Sequence, residues 1–287
     1  MRTPSPQRLA VLGSPIAHSK SPRLHEAAAR ALGVERQYSA VELREHELAG
    51  FLASREPGWR GCSLTMPLKS VAVPMCRTVS PVAQRADAVN TIVFDGPEPD
   101  APFDGFNTDV EGVRRALDEA GAGTARVELL GAGSTASSVL LACAERGATE
   151  LVIRARAPER ARDAERLAAS LGMSVRVVHL DDDPARTGDG MDDVDLVINT
   201  IPGGDRLRVR YPKPVRRTAT LFDVIYDPWP TSLAAHWLDA GGQVVSGLDM
   251  LLYQAIAQVR LFTRPEDGAR AVTDAELLAA MRAALGR

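Results

Sequence analysis

The hexapeptide Gly131-Ala132-Gly133-Ser134-Thr135-Ala136 follows a short apolar segment, Arg126–Leu130, and opens a stretch of helical character that runs to Arg146. This is a G-x-G-x-x-A pattern in a strand–turn–helix setting, and it leaves little choice of fold. Glycines at such a turn let the backbone double back and approach a pyrophosphate, while the helix presents unpaired N–H groups and the positive end of its dipole. The hexapeptide alone would also suit a tight turn with no ligand. Its flanks favour a dinucleotide-binding βαβ unit.

The same alternation runs through the chain. Residues 9–12 read as a strand broken at Gly13 and Pro15, and 22–32 as a helix with Pro22 early and Gly33 after its end. Further strands are expected at 38–43, 62–65 and 88–94, helices at 45–53 and 79–85, and a turn-rich excursion or hairpin at 95–105. After a helix at Asp109–Ala120, strands are expected at 151–153, 174–179, 195–199, 220–224 and 243–245, with a helix at 158–171. The acidic, polar stretch 181–193 reads as a solvated surface loop, and 247–262 and 273–285 as amphipathic closing helices. At 287 residues the length suits two ordinary domains. The expected architecture is therefore α/β with mostly parallel sheets: a first domain at 1–106, a Rossmann-type unit at 107–245, and helices at 246–287 that pack back on the first domain.

Several function classes fall away. Lys+Arg 34 against Asp+Glu 37 gives a net charge of -3, so no basic field argues for nucleic acid or an anionic membrane. Cys62, Cys76 and Cys143 are odd in number and unpaired in spacing, and the five His (18, 25, 46, 179 and 236) form no ligand cluster, so no metal site is expected. No apolar run is of membrane-spanning length and the first residues lack a signal-peptide apolar region, which predicts a cytoplasmic protein. Among the 34 basic residues only Lys20, Lys69 and Lys213 are lysines. Lysine, unlike arginine, can exchange a proton.

The end of the strand after the glycine turn speaks to the kind of dinucleotide. An NAD site usually places an acid there for the ribose 2′-OH, whereas basic residues suit a 2′-phosphate. Here the segment after the strand carries Arg154, Arg156 and Arg160, with no acid at the strand end. The three arginines point to NADP; the plain alternative is a set of surface arginines in an arginine-rich chain.

The first domain gathers the groups that a hydroxylated acid would need. Ser19 and Ser21 stand just before a helix, where either could also serve as a cap. Ser63, Thr65 and Lys69 lie at the end of a strand, the usual address of α/β active sites. Asn90 and Thr91 supply an amide and a hydroxyl, and Asp109 a carboxylate at a helix start; singly, each suits a turn or cap. Dehydrogenating a secondary alcohol releases a hydride from carbon and a proton from oxygen. With no metal and no plausible catalytic His, Lys69 and Asp109 are the best pair for the proton. His18 and His25 read as surface or packing residues, and Cys62 as a small buried hydrophobe.

In this order the motifs resemble those of the shikimate dehydrogenase family: GSPIAHSKSP (13–22), SLTMPLK (63–69), AVNT (88–91), FNTD (106–109), GAGSTA (131–136), INTIP (198–202), DVIYDPWPT (223–231) and GLDMLLYQA (247–255). The resemblance implies a substrate domain and a Rossmann domain, and reversible reduction of 3-dehydroshikimate to shikimate with NADPH. It implies that Ser19 and Ser21 hold the substrate carboxylate, that Ser63, Thr65, Asn90 and Asp109 serve its hydroxyls, and that Tyr226 and Gln254 line its site. Lys69 would transfer the proton with Asp109 as partner. Gly131 to Ala136, Arg154, Arg156, Arg160, Thr200 and Gly247 would hold NADP. Three positions depart from the family pattern. Ser63 stands where Asn is common, Ala155-Arg156-Ala157 where Asn-Arg-Thr is usual, and Asp249 where a small residue is common. A quinate/shikimate dehydrogenase with relaxed cofactor use and a non-catalytic NADP-binding relative are the rival readings. The expected partner is a small-molecule substrate, in a monomer or homodimer.

Overall fold

The computed structural model describes residues 7–182, 193–203, 207 and 209–287, so most of the expected acidic loop, from 183 to 192, lies outside the described residues. Chain contacts divide it into two units, Met1–Thr108 with Leu251–Arg287, and Asp109–Met250.

In the first unit, β1 (Gln7–Gly13), β2 (Arg36–Glu42), β3 (Trp59–Leu64), β4 (Thr78–Val79), β5 (Thr91–Phe94) and β6 (Phe103–Phe106) form one sheet in the order β2-β1-β3-β5-β6-β4. The pairings β1·β2, β1·β3 and β4·β6 are parallel, but β3·β5 and β5·β6 are antiparallel, so this sheet is mixed rather than mostly parallel. The reason is the turn-rich stretch after Phe94. It closes a hairpin, which reverses β5 against β6, whereas a helical crossover would have kept them parallel. Helix α1 (Ser21–Leu32) ends at Gly33, whose φ of 69° is the left-handed cap conformation. It packs beside α11 (Asp274–Leu285), whose Thr273–Glu276 pair forms a capping box. Leu12, Cys62, Leu64, Leu68, Val89 and Ile92 are buried together in the core. Cys62 thus behaves as the small hydrophobe expected, its thiol pushed up by burial.

The helix expected at 79–85 starts two residues later as α4 (Pro81–Ala86), because Val79 is taken by the short strand β4. The helix expected at 45–53 is present as a 3₁₀ turn, Glu45–Glu47, that continues into α2 (Leu48–Ala53), whereas α3 (Leu68–Val71), a single turn, escapes a periodicity reading.

The second unit holds β7 (Arg126–Leu130), β8 (Glu150–Ala155), β9 (Ser174–His179), β10 (Leu196–Asn199), β11 (Thr220–Asp223) and β12 (Val244–Ser246), all parallel, in the order β12-β11-β10-β7-β8-β9. This is a doubly wound sheet whose chain order reverses between β7 and β10. Lys213 opens the short helix α8 (Lys213–Thr218). Helix α9 (Ser232–Asp239), capped by Thr231, brings Trp237 into the core, where its Nε1 donates to Ala219 O at 2.9 Å. Helices α5 (Asp109–Ala120), α6 (Ser134–Glu145) and α10 (Gly247–Phe262) follow their predicted spans closely, and α7 (Arg162–Ser170) fills most of the helix expected at 158–171.

Candidate active site and cofactor cradle

Strands β1 and β3 run side by side and end together, so the loops that leave them touch. Thr65 N–H donates to Leu12 O and Ser14 N–H donates to Met66 O, each at 2.9 Å. A Cβ at position 13 would lie 2.3 Å from Thr65 Cγ2 and 2.8 Å from Met66 O, so only Gly13 lets the two loops approach. The first loop delivers Ser19 and Ser21 to the start of α1, where Ser19 Oγ accepts from Ser21 N–H at 3.3 Å. Ser21 is buried and Ser19 half-buried, while His18 faces solvent.

The second loop turns at once into α3, which carries Lys69. This side chain is only 8% exposed, unusual for a lysine. Its backbone carbonyl accepts from Val89 N–H at 2.8 Å, which ties α3 to the segment leading into β5. Next on that segment, Asn90 is 1% exposed. Its Nδ2 donates to Thr108 Oγ1 at 2.9 Å, and its Oδ1 accepts from Thr91 Oγ1 and from Thr108 N–H, both at 2.8 Å. Thr65, Lys69, Asn90 and Thr108 thus gather at one end of the mixed sheet. Asp109, the residue after Thr108, is buried and opens α5.

In the second unit the glycine turn lies at the point where the strand order reverses. Gly131 has φ 103° and a Cβ there would meet Thr200 Oγ1 at 2.6 Å, so both conformation and space demand glycine. Thr200 in turn donates from N–H and Oγ1 to Leu130 O, each at 2.9 Å, locking the ends of β10 and β7 together. Gly133 is exposed, with nothing within 4 Å of the place its Cβ would take, and it sits at the N-cap of the twelve-residue α6 without a side-chain cap. Open space above a helix N-terminus is what an approaching pyrophosphate needs. Gly131 N–H donates to Arg154 O at 2.9 Å, which sets the turn beside the end of β8. Just past that end, Arg156 and Arg160 are exposed, and among the described residues neither has a carboxylate partner. These residues fit a dinucleotide carrying an extra phosphate.

Residues 11–92 match the family model of the shikimate dehydrogenase substrate binding domain. A Moorella thermoacetica shikimate dehydrogenase (NADP(+)) is 38% identical over 285 residues, covering 97% of this chain and 95% of the relative. The chain belongs to the shikimate dehydrogenase family. Two solved structures agree. The Mycobacterium tuberculosis shikimate dehydrogenase is 36% identical with a TM-score of 0.82, over 97% of this chain and 100% of that one. The Thermus thermophilus shikimate 5-dehydrogenase in complex with NADP(H) and shikimate is 32% identical with a TM-score of 0.78, over 97% and 99%.

Within the family pattern two residues need correction. Arg154 does not join a phosphate clamp. It is fully buried, its Nε donates to Glu128 Oε1 and its Nη1 to Asp182 O at 2.9 Å, because it still lies inside β8. Ser63 does not present its hydroxyl to a substrate. The side chain is 4% exposed, and its Oγ accepts from Tyr38 OH at 2.7 Å and donates to Gln258 Oε1 at 2.8 Å. Its proton is used inside the unit.

The third departure has a local explanation. Asp249 Oδ2 accepts from Ser246 N–H at 3.3 Å while Ser246 Oγ accepts from Leu248 N–H at 3.2 Å, so the aspartate caps α10. Gly247 opens the same helix where a Cβ would meet Val224 O at 2.0 Å. Tyr226 is half-buried, and burial, with Asp227 beside it, pushes its phenol up. Gln254 is buried and donates to Leu251 O of its own helix at 2.9 Å. Gln258, four residues on and on the same face of α10, was not singled out by sequence; the i, i+4 glutamine pair was the available signal.

Among the described residues no group of His, Cys, Asp and Glu could hold a metal, and no helix is long and apolar enough to cross a membrane.

Proposed function

We propose that this chain catalyses the reversible, NADPH-dependent reduction of 3-dehydroshikimate to shikimate. The observation that carries this reading is the buried Lys69, tied by its backbone to the segment that presents Asn90, in a chain of this family. We assign the first unit to the substrate and the second to the cofactor.

NADPH supplies the hydride when bound. The chain's residues handle the remainder. Ser19 and Ser21 hold the substrate carboxylate at the start of α1, where a helix N-terminus favours negative charge. Thr65 and Asn90 fix the ring hydroxyls. Lys69 gives a proton to the oxygen that becomes the new alcohol and recovers it in the reverse direction, with Asp109 as the second member of the pair. Tyr226 and Gln254 complete the lining. On the cofactor side, Gly131 to Ala136 receive the pyrophosphate at the head of α6, and Thr200 and Gly247 shape the floor beside it. Arg156 and Arg160 take the 2′-phosphate by charge-assisted hydrogen bonds. The free thiols, two of them buried, suit a reducing cytoplasm.

The direct test follows formation of the reduced nicotinamide spectrophotometrically with shikimate and then quinate, using NADP and NAD in turn. Turnover of shikimate with NADP is expected to dominate. No turnover of shikimate with either cofactor overturns the reading, and faster turnover of quinate with NAD transfers the chain to the rival activity.

A further inference from the structure

We propose that Gln258 is a positioning residue that, acting through Thr91 and together with the Thr108 backbone N–H, holds the polarity of the Asn90 amide, so that Asn90 addresses the substrate through Nδ2 as a hydrogen-bond donor. The proposal rests on the reading that Asn90 binds a substrate hydroxyl. It starts from an amide, only 2% exposed, with partners on every side.

Gln258 Nε2 lies 3.2 Å from Asn90 O and 3.0 Å from Thr91 Oγ1. Gln258 Oε1 lies 2.8 Å from Ser63 Oγ and 3.2 Å from His25 Nε2. A backbone carbonyl can only accept, so the atom facing Asn90 O must be the nitrogen, and the orientation of the amide follows from chemistry. Asn90 O accommodates this donor with its second lone pair, because it also accepts from Leu64 N–H at 2.7 Å.

Once that amide is oriented, every hydroxyl around it has one role. Tyr38, whose ionisation burial suppresses, donates to Ser63 Oγ at 2.7 Å. Ser63, accepting there, spends its own proton on Gln258 Oε1. His25 is held neutral by burial, its pKa pushed down to about 3, and its Nε2 faces the same oxygen as an N–H. Beyond the amide, Thr91 Oγ1 accepts from Gln258 Nε2 and donates to Asn90 Oδ1 at 2.8 Å, an atom that the Thr108 backbone N–H identifies as the amide oxygen.

The result is a chain of single polarity, Tyr38 to Ser63 to Gln258 to Thr91 to Asn90, anchored by Asn90 O at Gln258 and by Thr108 N–H at Asn90. Hydrogen bonds in such a chain polarise one another. Its far end, together with Thr108 N–H at 2.8 Å, occupies Oδ1 of Asn90 from inside the protein. An amide whose oxygen is taken in this way addresses a ligand through its nitrogen, which also donates to Thr108 Oγ1 at 2.9 Å. A substrate hydroxyl at that place is then recognised as an acceptor. The departure at Ser63 also gains a role: the amide expected on β3 is supplied instead by α10.

The experiment compares kcat and KM for shikimate and for NADP in Asn90→Ala, Gln258→Leu, Thr91→Val and Thr91→Ser. It adds single-deoxy shikimates as probes of the hydroxyl whose contribution Asn90→Ala removes. Gln258→Leu and Thr91→Val are each expected to raise KM for shikimate roughly tenfold, the scale of one hydrogen bond, and to leave KM for NADP unchanged. Thr91→Ser, which keeps the hydroxyl, restores the parent KM. The matching deoxy analogue, having lost the hydroxyl, is insensitive to Gln258→Leu. Equal losses on shikimate and on that analogue, or no loss while Asn90→Ala is impaired, overturn the positioning role. If Asn90→Ala itself leaves KM for shikimate unmoved, the substrate assignment fails first, and the proposal with it. Should Gln258→Leu not fold, Thr91→Val breaks the same chain one bond further on and decides alone.

Discussion

Arg154 and Glu128 form an ion pair sealed in the core of the doubly wound unit, on the adjacent parallel strands β8 and β7. Tyr211 OH adds a donor to Glu128 Oε1 at 2.7 Å, and burial raises the carboxyl's pKa against the pull of the guanidinium. Such a pair adds little relative to an apolar core, but removing one partner strands the other without water.

Arg154→Ala is therefore expected to lose about 3–5 kcal/mol of folding stability, the cost typical of a broken buried pair. Arg156→Ala, two residues on and exposed, is expected to lose almost none. Urea unfolding of the two variants checks this directly. Equal stabilities would mean that Arg154 is not held in the core.

Catalysis reverses the ranking of these two arginines. Arg156→Ala should raise KM for NADP by roughly ten- to hundredfold, the worth of a hydrogen bond to a charged group, with KM for shikimate nearly unchanged. Because NAD lacks the 2′-phosphate, its KM should stay where it is. An unchanged KM for NADP would move the clamp elsewhere, with Arg160 the next candidate.

What local chemistry encodes was legible in the chain, and what distant contacts encode was not. The glycine turn, its flanking strand and helix, and the closing helix over 247–262 were readable because their signals lie within one turn or one strand. The three arginines at 154, 156 and 160 looked alike because a strand's end is hard to place from sequence. Arg154 is still inside it and Arg156 just outside, and that single step separates a core ion pair from an exposed cation. The mixed sheet escaped because the turn-rich stretch 95–105 reads equally as an excursion or a hairpin, and only the hairpin fixes antiparallel pairing. Gln258 escaped because its partners, Ser63 and Asn90, lie far away in sequence and are joined to it only by folding.

Lys69 gives the sharpest mechanistic prediction. Lys69→Ala should lower kcat about 10²–10⁴-fold, the usual contribution of a positioned proton donor, while shikimate still binds. Binding is measured separately, by titrating the variant with shikimate and following heat. A variant that keeps most of its rate takes proton transfer away from Lys69; one that loses binding instead makes it a substrate anchor.

His25 predicts how stability falls in acid. The ring is buried and stacked on Tyr38 with centroids 4.0 Å apart and an interplanar angle of 10°. Burial lowers its pKa from 6.5 to about 3, the bond to Gln258 opposes this, and Arg36 adds to the lowering. The folded state thus keeps His25 neutral where the unfolded chain would protonate it. Its contribution is complete above pH 6.5 and is lost progressively as pH falls toward 3, at up to about 1.4 kcal/mol per unit. Urea midpoints at pH 7 and pH 4.5 should therefore differ more in the parent than in His25→Gln, which has no ring to titrate. The variant starts less stable at neutral pH and loses less on acidification. Parallel declines in the two proteins would show that His25 takes up no extra proton on unfolding.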